Sequence, residues 1–166
     1  MSGYNWRNSL GDYATTSGVL AGFTLAFIVF ILGSSVGDSR LVSGFTWGEI
    51  GVLLNGVASA LFVASTEFFL SSKSYDVWNI PEQYEKFLEI GFQKEGRRWD
   101  TLKLENLTNC RKYEGRGRWC YNVGIFVMFT AFFFVIGPYN LAVAVLVTLC
   151  GVSLELLQIA VAHQRL

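Results

Sequence analysis

The stretch Ala14–Gly33, ATTSGVLAGFTLAFIVFILG, holds twenty residues and no charge. At about 1.5 Å per residue a helix of this length crosses a hydrocarbon core of about 30 Å. The charge-free region is wider than the quoted stretch, since the first charge after Asp12 is Asp38. A second such gap runs from Arg118 to Glu155. Over the 166 residues, 52% are hydrophobic, 16% aromatic and 16% charged, where a soluble domain carries about 25% charge. A chain of this size buries one small core, so runs of this kind need lipid as their solvent. The expected fold class is an all-α integral membrane protein, built as a single domain over 1–166.

Outward from that stretch, three more apolar segments follow. The four spans are expected at about 14–33, 50–70, 119–136 and 141–162. In the first, Ala14, Gly18, Gly22 and Ala26 recur every four residues, a small-residue ridge that lets another helix approach closely. Packing inside one subunit is the first reading of that ridge, and packing between subunits the second. The second span has a similar ridge at Gly56, Ala60 and Ala64. It also has a polar stripe at Asn55, Ser59, Thr66 and Glu67, which lipid would not tolerate, so that face is expected to meet protein or water. Gly137-Pro138-Tyr139-Asn140 carries turn chemistry between the last two spans, making them an antiparallel hairpin. The polar region 71–118 is expected to be a helical loop. Asn79-Ile80-Pro81-Glu82 reads as a helix start with an N-cap and a capping-box pattern. Ile80, Tyr84, Phe87, Leu88 and Gly91 then share one face of an amphipathic helix. A further helical stretch is expected around Trp99–Leu107, and Gly115 and Gly117 mark a flexible lead-in to the third span.

Basic residues set the expected orientation. With four crossings, Arg7, ten Lys/Arg between Ser71 and Cys120, and Arg165 lie on one side, and Arg40 alone on the other. The positive-inside rule places both termini and the large loop in the cytoplasm. Met1–Tyr13 lacks the basic start and short apolar core of a cleaved signal, so the first span is expected to be retained. Trp and Tyr near the span ends fit an aromatic belt. The Asn106-Leu107-Thr108 sequon then lies in the cytoplasm, where it is not used.

Composition excludes several classes. Zero net charge gives no nucleic-acid footprint. Three cysteines without a C-x-x-C pair and one histidine argue against a zinc site, a disulfide scaffold or a metal cofactor. The Ser-His-Asp, Cys-His and paired-acid patterns of an enzyme are missing, so no catalytic role and no cofactor are expected. The chemical candidates are acids within spans, because an intramembrane charge costs about 2.5–3.5 kcal/mol on insertion scales. Glu67 lies in the last turn of span two, where it can snorkel to the headgroups or pair with Lys73 or Arg118. Glu155 lies deeper, in span four, with Gln158 and His163 along the same side. Asp38 and Glu49, in the short outer loop, are candidate acids at the mouth of a cation path. The basic loop can meet anionic lipid, although interleaved acids leave its net charge at plus two, which favours a structured cap.

Ser17 followed by Val19-Leu20-Ala21-Gly22-Phe23 resembles the pore-lining first helix of the Orai calcium channels. Leu61–Ile80 is similar in apolar pattern to their second helix, and Ala160-Val161-Ala162-His163 to the end of their last. The resemblance covers about a third of the chain, and it implies four helices with cytoplasmic termini. Where that family carries its selectivity glutamate, this chain has Phe30, and the basic run continuing the family's first helix is missing. The resemblance therefore implies a constriction lined by Phe23, Phe30 and their neighbours, without an acidic ring. Two functions are weighed first, with a small proton-coupled transporter or a membrane-disrupting effector as a third class. One is a small homo-oligomeric channel or pore, with the path at a symmetry axis. The other is an accessory subunit that docks a membrane partner through span one and the loop helix at 80–107.

Overall fold

A computed structural model describes residues 6–33, 40–42, 44–75, 86, 89–91 and 99–163. Four helices carry the fold: α1 Trp6–Gly33, α2 Trp47–Ser74, α3 Trp99–Ile136 and α4 Leu141–His163. Between α1 and α2 lies a short antiparallel hairpin, β1 Arg40–Val42 with β2 Phe45–Thr46. Gly44 turns it with φ 105°, a conformation that disfavours any side chain. Among the described residues, three helical stretches are long and apolar enough to cross a membrane: Gly11–Gly33, Trp47–Ser74 and Thr101–Ile136. Leu141–Leu157 is a shorter apolar helical stretch.

Local chemistry starts and stops these helices. Thr46 caps α2: its Oγ1 accepts from the Glu49 amide at 3.2 Å, and Glu49 Oε2 accepts from the Thr46 amide at 2.7 Å. This reciprocal box satisfies two amides that a helix start leaves without partners. At the other end the Tyr75 amide donates to the Ser72 carbonyl at 3.1 Å. Asn140 Oδ1 accepts from the Val143 amide at 3.1 Å and so caps α4 directly after the Gly137-Pro138-Tyr139 turn.

The third helix corrects the flexible lead-in expected at Gly115 and Gly117. It does not begin near Trp119 after a glycine-rich lead-in, but runs unbroken for 38 residues from Trp99. Gly115 and Gly117 lie inside it. A helical glycine costs about 1 kcal/mol in propensity, and packing offsets that here, because Gly117 is buried against the Phe69 ring. The twenty residues Trp99–Arg118 extend the helix by about 30 Å beyond the apolar part. The expected helix start at Asn79–Glu82 and most of the amphipathic helix at 80–91 lie outside the described residues.

The helices pack as a row. α2 sits between α1 and α3, α4 rests on α3, and α1 barely touches α3. Each contact follows a spacing of alternating fours and threes. On α2 the buried series is Gly51, Asn55, Ala58, Phe62, Ser65, Phe69 and Ser72. On α3, the buried Cys110, Gly117, Gly124 and Ala131 recur every seventh residue. In the antiparallel pair the large residues of one helix meet the small ones of the other. Phe62 lies over Gly124, Phe69 over Gly117, and Val135 over Gly51. A 3.5-residue repeat keeps such a seam facing its partner along the whole helix. The buried face of α1 is Ala14, Ser17, Ala21, Thr24 and Ile31, and that of α4 is Ala144, Gly151 and Glu155.

This seam displaces the ridges expected from small residues. Of the α1 ridge only Ala14 is buried, while Gly18, Gly22 and Ala26 are exposed, so the ridge is not the packing face within the chain. On α2, Ala60 is likewise exposed. The seam uses a seven-residue repeat, and a four-residue repeat drifts off it within two turns.

Candidate functional site

Hydroxyl side chains tie the row together. Ser59 Oγ donates to the Ala21 carbonyl at 3.4 Å, and Thr66 Oγ1 to the Ala14 carbonyl at 3.4 Å. Ser72 Oγ donates to the Cys110 carbonyl at 2.9 Å, and Thr148 Oγ1 to the Phe129 carbonyl at 3.3 Å. Each such bond between helices in lipid contributes about 0.6 kcal/mol on average.

One layer gathers more than these single bonds, and all four helices contribute to it. Ser17 and Ser65 share a hydrogen bond at 3.2 Å, and Ser65 Oγ also contacts the Gly117 carbonyl at 2.9 Å. Tyr13 stacks on Phe69 at 5.3 Å and meets Tyr121 edge-on at 5.8 Å. The Arg118 guanidinium lies 5.9 Å from the centre of the Tyr13 ring and donates to Glu114 Oε1 at 2.6 Å. From α4, Glu155 turns inward and is only 5% exposed. With its amide oriented to serve both acceptors, Asn122 Nδ2 donates to the Arg118 carbonyl at 3.2 Å and to Glu155 Oε1 at 3.1 Å. Arg118 Nε is buried without a hydrogen-bond partner among the described residues.

The arrangement places a carboxylate between α3 and α4, served by one side-chain amide. Such a group can accept a proton or attract a cation, because a single neutral donor leaves part of its hydrogen-bonding capacity unused. The Asn122 amide fixes the carboxylate on the α3 face of α4.

The other sequence candidates fall elsewhere. Glu67 is exposed on α2. In the α2–α3 register it stands level with Trp119, near the end of the apolar part of α3, and Arg118 pairs with Glu114 instead. Asn55 is fully buried; its Nδ2 donates to the Gly51 carbonyl at 2.9 Å, and its Oδ1 has no partner among the described residues. Phe23 and Phe30 are 51% and 58% exposed and stack on Phe27 from either side. Phe23 and Phe27 also meet Phe132 of α3 edge-on. A side chain at Gly22 would meet nothing within 4 Å. The Glu49 carboxylate is committed to the α2 cap. Asp38 and the side chains of Gln158 and His163 lie outside the described residues.

Sequence reasoning missed Asn122, Tyr13, Tyr121 and the Glu114–Arg118 pair as members of this layer. A signal was present: Glu114, Arg118 and Asn122 follow a four-residue spacing, and Asn122 is the one amide within Trp119–Ile136. Among the described residues no group of three or more His, Cys, Asp or Glu is placed to hold a metal ion. Compared with protein-family models, with curated proteins and with solved structures, the chain matches none.

Proposed function

We propose that the chain crosses the bilayer four times, with both termini and the 71–118 region in the cytoplasm, and that it works as a homo-oligomeric channel or pore. The observation that carries this reading is Glu155. A carboxylate held by Asn122 inside an apolar helix pair is costly for stability alone, and a conducting or proton-accepting role accounts for its presence. A row of four helices has little interior, so the path belongs at an axis between copies. The α1 face bearing Gly18, Gly22, Phe23, Ala26 and Phe30 is exposed in one chain and free to line or approach such an axis. The resemblance of this helix to the first helix of the Orai channels supports the same choice.

The test is ion flux into liposomes carrying the purified chain. Glu155→Gln and Gly22→Leu are each expected to change the flux at equal protein density. Unchanged flux in both would remove these residues from any path. The long extension of α3 favours one second reading, an accessory subunit that presents Trp99–Arg118 to a partner. Wild-type liposomes without flux, together with a protein that copurifies through this extension, would select it.

A further inference from the structure

Counted along the chain, the polar loop is close to neutral, but α3 sorts its charges by face. Thr108, Arg111, Lys112, Gly115 and Arg116 are exposed, while Cys110, Gly117 and Cys120 turn inward. Glu114 is turned aside and neutralised by Arg118. Among the described residues, Arg111, Lys112 and Arg116 have no ion-pair partner. Lys112 and Arg116 are one turn apart, and Trp119, 63% exposed, follows on the same face where the charge-free part of α3 begins. The face continues with Val123 and Phe126, both half-buried, and with exposed Thr130. Glu105 shares the face, but lies about 10 Å farther from the apolar part than Lys112.

We propose that Lys112, Arg116 and Trp119 form a site for an anionic phospholipid. The phosphate sits between the two bases, the indole lies at the headgroup level, and an acyl chain follows Val123 and Phe126 along α3. Arg111 adds charge one position away. A base at this depth lies within a screening length of the membrane surface, so its charge acts on headgroups as well as on bulk ions. Arg116 is about 4.5 Å and Lys112 about 10 Å from Trp119 along the axis, which spans the headgroup layer. The near-neutral balance of the whole loop concealed this stripe, because Glu114 is held by Arg118 and Glu105 lies farther from the apolar part. The site requires α3 to cross the membrane at Trp119; it does not depend on conduction.

The experiment is native mass spectrometry of the full chain in detergent, titrated with phosphatidylglycerol or with phosphatidylcholine. Wild type is expected to prefer phosphatidylglycerol, and the K112Q/R116Q variant to lose about 25-fold of that preference, since each of the two bases near an anionic surface is worth about fivefold. The K112R/R116K variant should keep it. Millimolar inorganic phosphate should not displace the lipid, because the Trp119 and acyl contacts are missing from the free ion. Equal binding of the two lipids by wild type would overturn the proposal. So would a preference that survives in K112Q/R116Q, or one abolished by free phosphate. Flux measured on the same K112Q/R116Q sample separates this site from the conduction reading.

Discussion

Replacing Gly124 by alanine tests the register on which the row depends. A Cβ added at Gly124 would lie 2.8 Å from Phe62 Cε1, 3.1 Å from Cδ1 and 3.2 Å from Cζ. Carbon atoms pack at about 3.5–4.0 Å, so the ring must retreat by roughly 0.5–1 Å. Phe62 has no room for this. It is fully buried, and it packs with Ala21, Ala58, Ile125 and Met128. Overpacking of this kind costs about 1–3 kcal/mol. Alanine also raises helix propensity by about 1 kcal/mol over glycine, which would mask part of the loss. Gly56→Ala supplies the reference, because it makes the same chemical change within an apolar helix where the new methyl meets nothing within 4 Å. The propensity gain cancels between the two variants, leaving the steric cost as a difference of about 1–3 kcal/mol. Reversible unfolding in mixed micelles, titrated with a denaturing detergent, measures both. Adding Phe62→Leu to Gly124→Ala should recover part of the loss, giving a coupling of about 0.5 kcal/mol or more. Equal stability of Gly124→Ala and Gly56→Ala would refute the α2–α3 seam described above.

Two further predictions concern buried groups. Asn122→Leu removes the amide that serves Glu155 and should cost about 1–3 kcal/mol in the same titration, whereas Glu155→Gln keeps an acceptor for Asn122 and should cost less than about 1 kcal/mol. The reverse order would mean that Asn122 does not hold the carboxylate. For the cysteines, Cys150 is exposed while Cys110 and Cys120 are buried. A lipid-soluble maleimide, followed by mass spectrometry, should modify Cys150 first and the other two only after detergent unfolding.

Much of the helical architecture was legible because its physics is local. A charge-free run such as Ala14–Gly33 announces a helix in lipid whatever its neighbours do. Gly137-Pro138-Tyr139-Asn140 announces a turn for the same reason. The flexible lead-in expected at Gly115 and Gly117 is instead helix, because glycine propensity is a weak local term. The contacts of Gly117 with Phe69 and of Gly124 with Phe62, 48 and 62 residues away, outweigh it. The Glu155 site was half legible. The acid stands out in an apolar helix, but its partner Asn122 lies 33 positions earlier and is joined to it only when α4 folds back on α3.

By itself, the amino-acid order determined which stretches prefer oil, where the chain must turn, and that charges gather in one region. These follow from transfer energies of single residues and from backbone chemistry within a few positions. Tertiary structure alone decided which face of each helix is inside, since Ala14, Ser17 and Ala21 are buried while Gly18 and Gly22 are left outside. It also decided which acids are paired and which bases stand exposed together. A small or polar residue is suited to several neighbours, and its role is set by the large side chain or the donor that packing brings against it.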